Sequence, residues 1–137
     1  MVELGNRITD RILTGSRPTE TQLEALKGQG VAVIVNHRPD GEEPGQPTSS
    51  DLAEAAERHG LRYVYAPVSG LPNPDAVEAT KGVLDTLAAD ERAYFFCRSG
   101  TRSTGTWAMA ERLRGADADE LRAQARAAGY DLDRLPL

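Results

Sequence analysis

Two kinds of apolar pattern alternate along the chain. Val31-Ala32-Val33-Ile34-Val35-Asn36 is free of charge and bounded by Gly30 and by Pro39-Asp40-Gly41, the pattern of an inner strand buried on both faces. Arg11 to Thr14 is a short run followed by the turn Gly15-Ser16-Arg17-Pro18, and Leu61 to Ala66 and Ala93 to Phe96 are similar short runs. All three are predicted strands. Between them the apolar spacing becomes helical. Thr19, with Gln22 three residues on, resembles a capping box that opens a helix to about Lys27. Ser49 or Ser50 is the predicted cap of a helix from Asp51 to His59 that stops at Gly60.

A third helix is predicted from about Asp75 to Ala88, with Val77, Val83, Leu84 and Leu87 along one stripe. Trp107, Met109, Ala110 and Leu113 mark a fourth, and a fifth lies between Asp117 and Ala128, ended by Gly129. Strands alternating with helices imply a three-layer α/β fold, a mostly parallel central sheet with helices on both faces. There is no internal repeat, low-complexity tract or interdomain linker, so residues 1–137 are expected to form a single domain.

Composition narrows the partners. The chain has 137 residues, 39% of them hydrophobic, enough for one core. A charged fraction of 27% with net charge −5 gives no reason to expect nucleic acid or an acidic membrane surface as partner, so any anion site must be local. No segment approaches the roughly 20 apolar residues that span a bilayer. Met1 to Asn6 lacks the basic and apolar regions of a signal peptide, and the expected location is the cytoplasm. The one cysteine, Cys97, cannot form an internal disulfide and is either an inert buried residue or a reactive one.

Its neighbours decide between these. Cys97-Arg98-Ser99-Gly100-Thr101-Arg102-Ser103 runs from a predicted strand through a tight loop into a helix. Ligands in such sheets bind beyond the carboxyl ends of strands, where Cys97 falls. Backbone N–H groups at a helix start are unpaired and converge on a common point, which attracts an anion. A thiolate at the first loop position is stabilised by those dipoles and by Arg102, whose planar fork matches two oxygens of a tetrahedral anion. Gly100 fits the tight turn, and Ser103 can hydrogen-bond the sulfur or fix the loop. Cys97 and Arg102 are therefore the candidate catalytic pair, with Arg98, Ser99, Gly100, Thr101 and Ser103 as anion-binding loop residues. No cofactor or metal is called for: His37 and His59 have no partnering ligand pattern.

These residues resemble two groups of Cys-loop enzymes, the tyrosine and dual-specificity phosphatases and the rhodanese-type sulfurtransferases. Over almost its full length the chain resembles the phosphatase-like domain of the beta-lactamase-hydrolase-like protein family, also described as sulfur transferases. The matching residues are Thr14-Gly15 before Pro18, Val35 to Glu42, the Cys97–Ser103 loop with Trp107, and Ala127 to Leu132. The resemblance implies a dual-specificity-phosphatase fold. It also implies a small anionic substrate, either a phosphate ester or thiosulfate or a persulfide with a thiol acceptor, and a persulfide dioxygenase as partner.

Two departures bear on mechanism. The phosphatases place five residues between Cys and Arg and usually a His before the Cys; here four intervene, a shorter loop that resembles the Cys-Arg-x-Gly-x-Arg loop of many rhodaneses, and Phe96 precedes the Cys. A phosphatase also uses an acid to protonate its leaving group, usually an Asp after the strand matching Leu61–Ala66, and Pro67-Val68-Ser69-Gly70 holds no carboxylate. Sulfite leaves thiosulfate as a stable anion and needs no such proton. The sequence therefore favours sulfur transfer through a Cys97 persulfide, with phosphate ester hydrolysis through a phosphocysteine as the alternative and a non-catalytic anion or persulfide sensor as a third reading. Arg38, beyond the end of an inner strand, is a candidate second anion contact, and Asp40 a candidate acid if the enzyme is a phosphatase; the alternative is a solvated loop turning at Asp40-Gly41.

Overall fold

The computed structural model describes residues 4–137; of the N-terminal reading made above, Met1, Val2 and Glu3 lie outside the described residues. The elements in chain order are β1 (Asn6–Arg7), β2 (Ile12–Gly15), α1 (Glu20–Gly28), β3 (Val31–Asn36), α2 (Ser49–Arg58), β4 (Arg62–Tyr65), α3 (Pro74–Thr86), β5 (Arg92–Phe96), α4 (Thr101–Leu113) and α5 (Ala118–Ala127). The strands form one sheet in the order β1-β2-β5-β3-β4. β2, β5, β3 and β4 are mutually parallel, and only β1 runs antiparallel, against β2.

The period-two alternation of strand side chains sorts the core into two faces. Leu13, Ile34, Tyr94 and Phe96 pack toward α1 and α2, where they meet Leu23, Leu26 and Leu52. Ile12, Val33, Val35 and Phe95 point the other way, toward Val77 and Leu84 of α3, Trp107 of α4 and Leu121 of α5. Phe95 is wholly buried, which contributes up to about 3 kcal/mol. The three-layer, mostly parallel arrangement expected from the pattern is what the chain adopts.

Two local details differ from expectation. Helix α2 is capped by Thr48, not Ser49 or Ser50: Thr48 Oγ1 accepts from Asp51 N at 3.2 Å and Asp51 Oδ2 accepts from Thr48 N at 3.1 Å, a reciprocal box that starts the helix at Ser49. Strand β1 was not foreseen, because its two exposed residues carry no apolar alternation. Among the described residues no helix is long and apolar enough to cross a membrane.

Because β2 to β5 are parallel, their carboxyl ends share one edge of the sheet. Four connections leave from that edge: 16–19, 37–48, 66–73 and 97–100. Everything described next lies on it.

Candidate active site

The Cys97 loop is built from below by its neighbours. Cys97 N–H donates to Gly15 O of β2 at 3.2 Å, and His37 N–H donates to Phe96 O at 2.8 Å, which fixes where strand pairing ends. Gly100 then takes a left-handed φ of +95° as the N-cap of α4. A side chain there would overlap the Tyr130 hydroxyl, so Gly is required by space as well as by φ. Tyr130 Oη donates to Ser99 O at 3.2 Å and accepts from Asn6 Nδ2 at 2.7 Å, bracing the loop from outside. Thr104 Oγ1 donates to Gly100 O at 2.8 Å and lies 3.0 Å from Thr14 Oγ1.

Inside this frame Cys97 is 1% exposed, and Gly100 N–H donates to its Sγ at 3.1 Å. No side chain caps α4. The N–H groups of its first turn are therefore open to an anion beside the sulfur. Ser99 and Thr101 side chains pair with each other at 3.2 Å on the exposed outer surface of the loop.

Arg102 is held by a residue the sequence reading did not single out for this role. Its Nη1 donates to Glu42 Oε2 at 2.6 Å and to Val68 O at 2.8 Å, and Nη2 donates to Glu42 Oε1 at 2.9 Å. Of its five N–H groups these use three, leaving Nε–H and one Nη2–H on a single edge of the guanidinium. Hydrogen bonding to Glu42 above all, with a smaller contribution from nearby Cys97, raises the Arg102 pKa further, so the group stays charged. Glu42 thus aligns the fork from one side and leaves the other edge open. Hydrogen bonding to Arg102, and then to Arg38, keeps the Glu42 carboxyl below the usual carboxylate range, so it is ionised at neutral pH.

Ser103 is fixed instead by His37, whose Nδ1 lies 2.8 Å from Ser103 Oγ while its Nε2 lies 2.9 Å from Thr80 Oγ1. His37 is fully buried and stands edge-on to Phe95, ring centroids 5.8 Å apart. Burial, reinforced by the Arg102 charge, lowers its pKa from 6.5 to about 3. The native ring is neutral where an unfolded chain would already bind a proton. The contribution of His37 to stability should therefore be complete above pH 6.5 and be lost as pH drops from 6.5 toward 3, by on the order of 5 kcal/mol in all. Denaturant midpoints at pH 7.5, 5.5 and 4.0 should slope more steeply for the native protein than for His37→Asn; equal slopes would show that the ring is not held neutral.

The remaining candidates form a charged rim. Arg38, its side chain 11% exposed, pairs with Glu42 at 3.0 Å and Glu43 at 3.4 Å. Arg98, 71% exposed, pairs with Glu43 at 3.0 Å. Asp40 lies on the same loop, but its Oδ1 accepts the Ser49 N–H at 2.7 Å at the start of α2. Trp107 is completely buried behind the loop. A cavity of about 160 Å³ opens beside Arg102, walled by Leu71, Pro72, Leu132 and Leu135. A larger one, about 450 Å³, lies between α3 and α4 around Val77, Met109 and Leu113, away from the cysteine, so size alone does not mark the chemistry.

A parallel sheet flanked by helices, with a cysteine at the end of its central strand and an arginine in the helix that follows, defines the protein-tyrosine-phosphatase-like class. Residues 19–114 match the family model described as beta-lactamase hydrolase-like protein, phosphatase-like domain, and the chain belongs to that family. A beta-lactamase hydrolase-like protein of Agrobacterium fabrum is 35% identical over 111 residues, 80% of this chain and 25% of the relative. A counterpart in Xylella fastidiosa is 33% identical over 93% of this chain and 30% of its own length, so the chain spans between a quarter and a third of these relatives. Among solved structures, a candidate phosphatase from Neisseria meningitidis superposes with a TM-score of 0.77 at 24% identity, covering 94% of this chain and 91% of its own. Kinase associated phosphatase, in a form whose catalytic-site cysteine is replaced by serine, gives 0.70 at 15% identity, covering 86% and 75%. These two likenesses show the fold.

Proposed function

We propose that residues 1–137 act as one catalytic domain of the phosphatase type, with Cys97 as nucleophile. The observation that carries this reading is the Gly100 N–H donated to Cys97 Sγ at 3.1 Å, at the start of the helix whose first turn holds Arg102. In this reaction a phosphate monoester sits on the loop N–H groups and the open edge of Arg102. Sγ attacks phosphorus, the ester P–O bond breaks and the leaving oxygen departs with its electron pair. Water then attacks the phosphocysteine, releasing phosphate and restoring the thiolate. The family and the fold favour this chemistry.

Sulfur transfer is the second reading, favoured by the four-residue spacing and by the state of the nearby carboxyls. Glu42 is ionised on Arg102, Asp40 is engaged at α2, and residues 67–70 carry none. Here Cys97 attacks the outer sulfur of thiosulfate, the S–S bond breaks, sulfite leaves with the electron pair and Cys97 keeps a persulfide for a thiol or cyanide acceptor. Both reactions suit a donor whose leaving group departs as a stable anion, so a phosphatase of this design works best on esters with weakly basic leaving groups.

The deciding experiment measures turnover of para-nitrophenyl phosphate, of alkyl phosphates and of thiosulfate with cyanide on one preparation. It then repeats all three with Asp40→Asn and with Asp75→Asn, Asp75 being the first carboxylate after residues 67–70. The phosphatase reading expects ester hydrolysis to dominate, and removing a general acid that acts from either position would cost about a hundredfold, most for alkyl esters. Thiosulfate turnover far exceeding ester hydrolysis and indifferent to both substitutions would replace it with sulfur transfer.

A further inference from the structure

Three arginines at this edge, Arg38, Arg98 and Arg102, are each paired with Glu42 or Glu43. Arg17 is not. It follows Gly15 and Ser16 at the carboxyl end of β2. Gly15 stands opposite Phe96 in the parallel register, so the turn that holds Arg17 leaves the sheet beside the strand that ends at Cys97. Tyr94 Oη donates to Ser16 O at 2.8 Å and Cys97 N–H donates to Gly15 O, so this turn is tied to the Cys97 loop itself. Arg17 is half-buried, its Nε is shut off from solvent, and it has no hydrogen-bond or ion-pair partner among the described residues.

The Nε–H of Arg17 is withdrawn from water without a partner, a cost that folding does not recover, while the rest of its guanidinium keeps contact with solvent. An anion supplied by the substrate would supply the missing partner. We propose that Arg17 binds a second anionic group of the substrate, a carboxylate or a further phosphate, while the Cys97 loop holds the reacting tetrahedral group. The substrate class is then a bifunctional anion. Its second charge lies on the β2 side of the loop, away from the Glu42–Glu43 rim on the β3 side, which would repel it. This rests on the loop as the anion site, and it holds for a phosphate ester or a thiosulfonate-like donor alike.

The test uses unreactive probes on the intact chain: phenylphosphonate, and its 3- and 4-carboxy derivatives, titrated calorimetrically. At least one carboxy derivative should bind about tenfold more tightly than phenylphosphonate, the scale of one charge-assisted hydrogen bond. In Arg17→Gln that ratio should fall to about one, and Arg17→Lys, which keeps the charge, should restore part of it. A ratio near one in the native protein, or a ratio untouched by Arg17→Gln, overturns the assignment and leaves the loop reading standing. If none of the three phosphonates binds, the loop reading fails and this one with it.

Discussion

Cys97→Ser is expected to lower turnover by about four orders of magnitude or more and to leave the fold intact. The hydroxyl is nearly the size of the thiol and can accept the same Gly100 N–H, so packing in this 1%-exposed position changes little. Its chemistry changes completely. A serine nucleophile needs a base to take its proton, and the nearest ring, His37, is committed to Ser103 and Thr80 on its two nitrogens. Nothing is left to activate an alcohol. Steady-state rates with para-nitrophenyl phosphate and with thiosulfate and cyanide should both collapse, while the denaturant midpoint moves by no more than about 1 kcal/mol equivalent. Native-like rates in this variant would remove Cys97 from the mechanism whichever substrate is used.

The strands and the loop are legible in the sequence because their causes are local. Val31–Asn36 is apolar without interruption because both faces are covered, and Cys97, Gly100 and Arg102 lie within six residues, so spacing alone reports their common site. What escapes a sequence reading is carried by pairs far apart in the chain. Glu42 meets Arg102 across 60 residues, and His37 meets Ser103 across 66. In the sequence Glu42 falls in a loop that could line the mouth, with nothing to say which arginine it would hold, and His37 reads as an isolated imidazole. Only the parallel pairing of β3 with β5 sets residues 37–42 beside the Cys97 loop. Asp40 was legible as a mouth residue in the same way, but no pattern could show that its carboxylate would serve the α2 N-terminus. Helix caps show the same limit on a smaller scale: Thr48, Ser49 and Ser50 are all acceptable caps, and the choice falls to Thr48 because only its spacing to Asp51 closes the reciprocal box.

Arg102→Lys should cost about a hundred- to a thousandfold in kcat/KM with any oxyanion donor, the range seen when one preorganised donor is lost from a transition-state site. Lysine keeps the charge, but one ammonium cannot grip Glu42 with two bonds, reach Val68 O and still present two parallel N–H groups to the anion. Glu42→Gln should cost less, about tenfold, and chiefly in kcat, because the charge of Arg102 remains to bind substrate while its alignment in the transition state is lost. The two losses should not add. Once Lys stands at position 102 there is no fork for Glu42 to orient, so the second substitution should then change the rate by less than about threefold. Full kinetics on the two single variants and the double variant measure this coupling. If Glu42→Gln instead lowered KM for anionic donors and raised kcat/KM, its carboxylate would be competing with substrate for Arg102, and its role as a positioning residue would be refuted.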